Sequence, residues 1–140
     1  MAASGLIIPQ IRPYQGTSDQ HHLLSLVREL QAHEATLFDR MKPSDEIGAE
    51  YIDRLLDVED GEIFVSVGRD NNANSILGYA AVSVQRSSEV DEIPYTFAEM
   101  SDLAVSEAAR QQGIGKALME RCEEWSKERN IKYFLSLIHI

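Results

Sequence analysis

The sequence predicts an α/β fold with a mixed, largely antiparallel sheet, its elements ordered β-α-α-β-β-β-α-β in a single domain over residues 1–140. Three observations carry this expectation. Apolar residues recur at helical spacing over 23–37, 47–56 and 114–125. Strand-like runs at 63–67, 76–84 and 95–105 stand together between the second and third of these stretches. The last run passes straight into Gly113 and Gly115 at the head of a helix, so it and the following strand form a βαβ unit, parallel and with a right-handed crossover.

Taken in order, residues 6–12 read as a first strand, bent or held at a sheet edge by Pro9, which has no N–H to give a ladder. Gly16, Thr17, Ser18 and Asp19 offer helix caps, and Leu23, Leu24, Leu26, Val27, Leu30 and Leu37 follow, so a first helix is expected to run to about Asp39. Lys42, Pro43, Ser44 and Asp45 give a second start signal ahead of the stripe Ile47, Tyr51, Ile52, Leu55 and Leu56. After Asp60 and Gly61 the period shortens, and 63–67 and 76–84 form a hairpin across the polar turn 70–75. The connection 85–92, with Glu89, Asp91 and Glu92, leads to a long strand over 95–105. Ile114, Leu118, Cys122 and Trp125 mark the buried face of a helix closing near Asn130, and 131–140 reads as a final strand.

The chain carries 13 Lys and Arg against 23 Asp and Glu, a formal charge of −10. Nucleic acid is excluded as the main partner, because phosphate contacts need clustered cations. The acidic field favours a cationic partner such as an amine. No apolar run reaches the roughly 20 residues that span a bilayer, so no membrane partner is expected. No secretory leader is visible, and the single cysteine, Cys122, excludes an internal disulfide framework; a cytoplasmic location is expected. On an apolar helix face beside Trp125, Cys122 reads as an inert thiol. His21, His22, His33 and His139 lack ligand spacing, and no metal is expected.

The segment Arg110, Gln111, Gln112, Gly113, Ile114, Gly115, Lys116, Ala117 carries the most chemistry. Glycines two apart at a strand-to-helix junction let backbone N–H groups face an anion at the positive end of the helix dipole. A phosphate-bearing ligand is the expectation.

With Glu99, Met100, Ser101, Asp102, Leu103, Ala104 and Val105 ahead of it, this segment resembles the GNAT superfamily of acyl-CoA-dependent N-acetyltransferases. The family's pyrophosphate signature is Arg or Gln, two residues, Gly, one residue, then Gly or Ala, which Arg110, Gly113 and Gly115 meet. The resemblance implies acetyl-CoA as co-substrate, with the parallel βαβ unit at its site. Pantetheine would lie along the backbone of Leu103, Ala104 and Val105, and the pyrophosphate on Gln111, Gln112, Gly113, Ile114, Gly115 and Lys116. Arg110 would support the loop or reach a phosphate. The acceptor implied is a primary amine, on a small molecule or a peptide, attacking the thioester directly while both substrates are bound.

An alkyl ammonium with a pKa near 10.4 has no lone pair at neutral pH, so a carboxylate must take its proton before attack. Glu99, fourteen residues before Gly113, stands in a register where some family members carry such a base. Asp102 is the rival, on the opposite strand face by simple alternation unless a bulge of the kind usual in this family strand intervenes. An amide of Leu103 or Val105 would polarise the thioester oxygen. Phe38, Met41 and Tyr51 are candidate lining of the acceptor site.

At the C-terminus the resemblance departs from the family, whose full members add another helix and two strands, often with a tyrosine that protonates the leaving thiolate. No residue here takes that role by motif. Residues 136–140 carry the hypothesis of a vector-derived or frameshifted ending, and the open edge of the final strand that of a homodimer. The alternative to an enzyme is a non-catalytic CoA-binding domain or truncated fragment.

Overall fold

The computed structural model describes residues 9–37, 40–57, 60–68, 76–87 and 90–136. Five strands form one sheet in the order β1-β2-β3-β4-β5: β1 Gln10–Pro13, β2 Gly61–Val67, β3 Ile76–Ser87, β4 Tyr95–Val105 and β5 Tyr133–Ser136. β1 to β4 pair antiparallel with their neighbours, and β4 pairs parallel with β5. The mixed sheet is therefore the one expected.

Strand alternation divides the core in two. Ile63, Val65, Tyr79 and Ala81 pack against Leu23, Leu26 and Val27 of α1 (Thr17–Ala35) and Ile52 of α2 (Ala49–Leu56). Phe64, Ala80, Val82, Ala98 and Met100 turn the other way, onto Ile114, Leu118, Cys122 and Trp125 of α3 (Ile114–Glu128). Each Val, Leu, Ile, Phe or Met side chain among these, fully buried, stabilises the fold by about 1.5–3 kcal/mol.

Several boundaries differ from the sequence expectation, each for a local reason. β1 begins at Gln10, immediately after Pro9, and residues 6–8 of the expected strand lie outside the described residues. α1 stops at Ala35, short of Asp39, as Thr36 turns its N–H and hydroxyl back onto the His33 carbonyl. Leu37 is 63% exposed, so it offers no burial to draw the helix onward. The second start signal forms only a 3-10 turn, Ser44–Glu46; the chain is extended at Ile47, and α2 starts after Gly48. The turn 70–75 and residues 137–140 of the last expected strand are outside the described residues.

Gly78 sets how closely α3 approaches the sheet. A Cβ there would stand 3.0 Å from the Ala104 carbonyl oxygen, 3.0 Å from Ile114 Cγ2 and 3.2 Å from Leu118 Cδ1. Only a residue without a side chain leaves this junction its room. It fixes the first turn of α3 beside the end of β4, which the Ser106 N–H ties to the Leu77 carbonyl at 2.7 Å.

Asp19 does not cap α1; Gly16 occupies that position without a side-chain cap. The buried Asp19 carboxylate instead receives Arg12 through two hydrogen bonds, 2.6 and 2.8 Å, and the Gln15 N–H at 2.7 Å, joining β1 to α1. The Arg12 hydrogen bonds hold its carboxyl below the usual carboxylate range. A lowered folded-state pKa contributes stability above the unfolded value near 3.9, lost as pH falls through the folded one. Asp19→Asn is accordingly expected to cost about 1.5–3 kcal/mol at neutral pH and to flatten the acid limb of the stability curve, read by urea unfolding from pH 7 to pH 3.

Candidate active site

β4 ends at Val105, and a 3-10 turn, Glu107–Ala109, carries the chain to Arg110. Gln111 and Gly113 then both take left-handed backbone, at φ 67° and 78°. Gly113 is the N-cap of α3, and no side chain caps that end. The N–H groups of Ile114, Gly115 and Lys116 therefore lack intrahelical acceptors, the first helical bond running from Ala117 N–H to the Gly113 carbonyl at 3.0 Å.

These amides border a cavity of about 720 Å³. Leu103, Ala104 and Val105 of β4 form one wall, Gln111, Gly113, Ile114, Gly115 and Lys116 its glycine-bounded end, and Glu29, Leu30 and His33 of α1 the facing side. A Cβ on Gly113 would meet nothing within 4 Å, whereas one on Gly115 would touch Val105 Cγ2 at 3.7 Å. Gly113 thus serves backbone conformation, whereas a Cβ at Gly115 would make only an ordinary contact with β4. Gln112 is exposed and does not line the cavity.

Arg110 braces the turn from its rim. Its Nε donates to the Val105 carbonyl at 3.3 Å, and its guanidinium lies 3.9 Å from Glu29, whose carboxylate also accepts the Glu107 N–H at 3.0 Å. Lys116 projects outward, its side chain 83% exposed and 4.0 Å from Glu120.

The two candidate carboxylates depend on an irregularity in β4. Its pairing with β3 runs from Gly78↔Val105 to Ala81↔Asp102 and resumes at Val82↔Met100, leaving Ser101 without a counterpart. This bulge inverts the alternation. Ala98 and Met100 face α3, and beyond the bulge so do Leu103 and Val105. Glu99 and Asp102 consequently share the opposite face and line one second cavity of about 510 Å³. Simple alternation, which puts them on opposite faces, is corrected by the extra residue between them. Parallel pairing with β5 is described from Phe97↔Tyr133 to Met100↔Ser136.

Asp102 is buried, and its Oδ2 accepts the hydroxyls of Tyr51 at 2.7 Å and Tyr79 at 2.9 Å. Burial first, then the Asp102 charge, pushes both phenols above their ordinary pKa, so they remain protonated donors. Glu34 of α1 is raised for the same two reasons. Glu99 is half-buried and makes no ion pair among the described residues. Tyr51, Arg54 and Leu55 of α2 cover the cavity, and Ser83 and Gln85 of β3 lie beside Glu99, Gln85 Nε2 donating to Ser83 Oγ at 2.9 Å. Tyr51 is where the sequence expected a lining residue; Met41 lines neither cavity, and Phe38 is outside the described residues. Tyr79 was legible only as a core strand residue, and Arg54 only by its spacing of three from Tyr51.

Cys122 lies in the apolar core under α3, where burial pushes its thiol up to about 12, so it is no nucleophile at neutral pH. Among the described residues no group of three or more His, Cys, Asp or Glu could hold a metal ion.

Residues 24–139 match the model of the Acetyltransferase (GNAT) family. The chain belongs to the GNAT acetyltransferase family. Solved structures agree with the fold of this GNAT chain. The tetramutant of the BH1408 protein from Bacillus halodurans superposes at a TM-score of 0.69 and 17% identity, covering 93% of this chain and 83% of that one. An acetyltransferase from Vibrio fischeri gives 0.68 at 21%, covering 91% and 94%. An aminoglycoside acetyltransferase from an uncultured soil metagenomic sample, solved with sisomicin, gives 0.59 at 19%, covering 94% and 78%. No curated protein matches the chain significantly. Family and fold together point to acyl transfer, and among the described residues no helix is long and apolar enough to cross a membrane.

Because Gly113 holds φ 78° in open space, the cost of a side chain there is conformational. Gly113→Ala in this GNAT domain is expected to lose about 1–2 kcal/mol of stability, measured by urea denaturation.

Proposed function

We propose that this chain transfers an acetyl group from acetyl-CoA to a primary amine, the amine attacking directly with both substrates bound. One strand carries the proposal. β4 borders the glycine-bounded groove through Leu103, Ala104 and Val105 and the acidic cavity through Glu99 and Asp102, and the two sets adjoin at Asp102 and Leu103. A donor in the groove and an acceptor in the cavity would meet along a single backbone.

The groove suits the donor. Uncapped amides of Ile114, Gly115 and Lys116 sit at the positive end of the α3 dipole, where they offset phosphate charge without a basic surface. Gln111 and Gly113 hold the left-handed turn that aims those amides, and Arg110 braces it. The β4 backbone from Leu103 to Val105 offers the pantetheine arm an extended partner, and an amide of Leu103 or Val105 is the proposed donor to the thioester oxygen. Acetyl-CoA itself supplies the acyl group in activated thioester form.

In the acidic cavity the two carboxylates divide the work. Asp102 already accepts two phenols, which satisfy its charge and hold Tyr51 over the cavity. Glu99 has no such commitment among the described ion pairs and takes the proton from the acceptor ammonium, directly or through water.

Glu99→Gln tests this. Turnover with a reactive amine, followed by thiol release, is expected to fall about 10²-fold or more near neutral pH and to approach wild type at alkaline pH, where free amine needs no base. CoA affinity by calorimetry should stay unchanged. A wild-type pH profile in the variant transfers the base to another residue, and CoA binding without thiol release from any amine leaves a binding domain.

A further inference from the structure

We propose that the acceptor is a zwitterion, an amine bearing a carboxylate a few bonds away, and that Arg54 binds that carboxylate. This deepens the acetyl-transfer reading of the acidic cavity and rests on it.

The cavity is bipolar. Glu99 and Asp102 enter it from β4, and Arg54, the single cation among the described residues that line it, enters from α2. Tyr51 and Arg54 are three residues apart on that helix and so share a face. The 2.7 Å hydrogen bond from Tyr51 to Asp102 turns this face toward β4, which carries the guanidinium to the cavity with it. Arg54 is near enough to act electrostatically on the Tyr51 phenol. It is exposed and makes no ion pair among the described residues.

A guanidinium offers a planar fork of donors that matches a carboxylate. It also repels a second ammonium, so the cavity disfavours the diamines that the chain's charge of −10 would otherwise collect. Polarity sets the orientation of the acceptor. The amine belongs with Glu99 and Asp102, because β4 continues from Asp102 into the donor groove at Leu103. The carboxylate then lies toward α2 and Arg54. Ser83 and Gln85 add neutral hydrogen-bonding groups, and about 510 Å³ suits a small hydrophilic molecule.

The test uses pairs of amines that differ in a carboxylate: lysine with cadaverine, ornithine with putrescine, and glycine with glycinamide. The carboxylate-bearing member of each pair is expected to show a kcat/KM about 10- to 100-fold higher, the range of one charge-assisted contact. Arg54→Ala should erase that preference, Arg54→Lys retain part of it, and Arg54→Glu invert it toward the diamines. Because Arg54 is exposed, the variants should fold, which circular dichroism checks. Equal rates within each pair, or a preference that survives Arg54→Ala, overturn the zwitterion assignment and leave amine acetylation standing. Absence of thiol release from every amine instead overturns the transfer reading. Calorimetric titration of the CoA-saturated protein with glycine and glycinamide then decides whether the cavity selects a carboxylate, equal or absent binding of both counting against Arg54.

Discussion

The unpaired Ser101 in β4 is the constraint on which both cavities depend. A strand that alternated throughout would send Glu99 and Asp102 to opposite faces, one of them into the apolar layer beneath α3. With one residue left over in the ladder, both carboxylates reach the same cavity, while Leu103 and Val105 still cover the α3 core. Beyond the bulge Leu103, Ala104 and Val105 of β4 form the wall of the groove.

Around that strand, packing and electrostatics cooperate through specific contacts. Gly78 lets the first turn of α3 come down onto β3 and the end of β4, which sets the uncapped amides beside Val105. On the opposite face the buried Asp102 would be costly alone, and the hydroxyls of Tyr51 and Tyr79 satisfy it. Because Tyr51 belongs to α2 and Tyr79 to β3, the pair also fastens helix to sheet. The bonds that shape this cavity therefore also hold α2 to the sheet.

Net charge and local charge speak of different things here. The total of −10 describes the field that a distant molecule meets. Among the described lining of the acidic cavity two carboxylates stand with one guanidinium, and in the proposed reading that local arrangement would govern which molecule is retained. A reading from composition favours any cation, whereas the proposed role of Arg54 would have the cavity discriminate among them.

Much of this was legible in the chain itself. Apolar periodicity determined the element order and the two helical faces, because burial imposes a repeat on the residues that supply it. Gly113 at a strand-to-helix junction marked the left-handed turn that starts α3 without a side-chain cap, since the local backbone requirement is written in residue type. The end of α1 was misjudged at Leu37 because a lone apolar residue does not reveal whether anything lies opposite it. The role of Asp19 was misjudged because its partner, Arg12, lies on another element. The bulge, the two phenols on Asp102 and the entry of Arg54 into the acidic cavity were decided by tertiary structure alone. Each is a relation between residues far apart in sequence: Ser101 is extra only against β3, and Asp102 is paired only once α2 and β3 converge upon it.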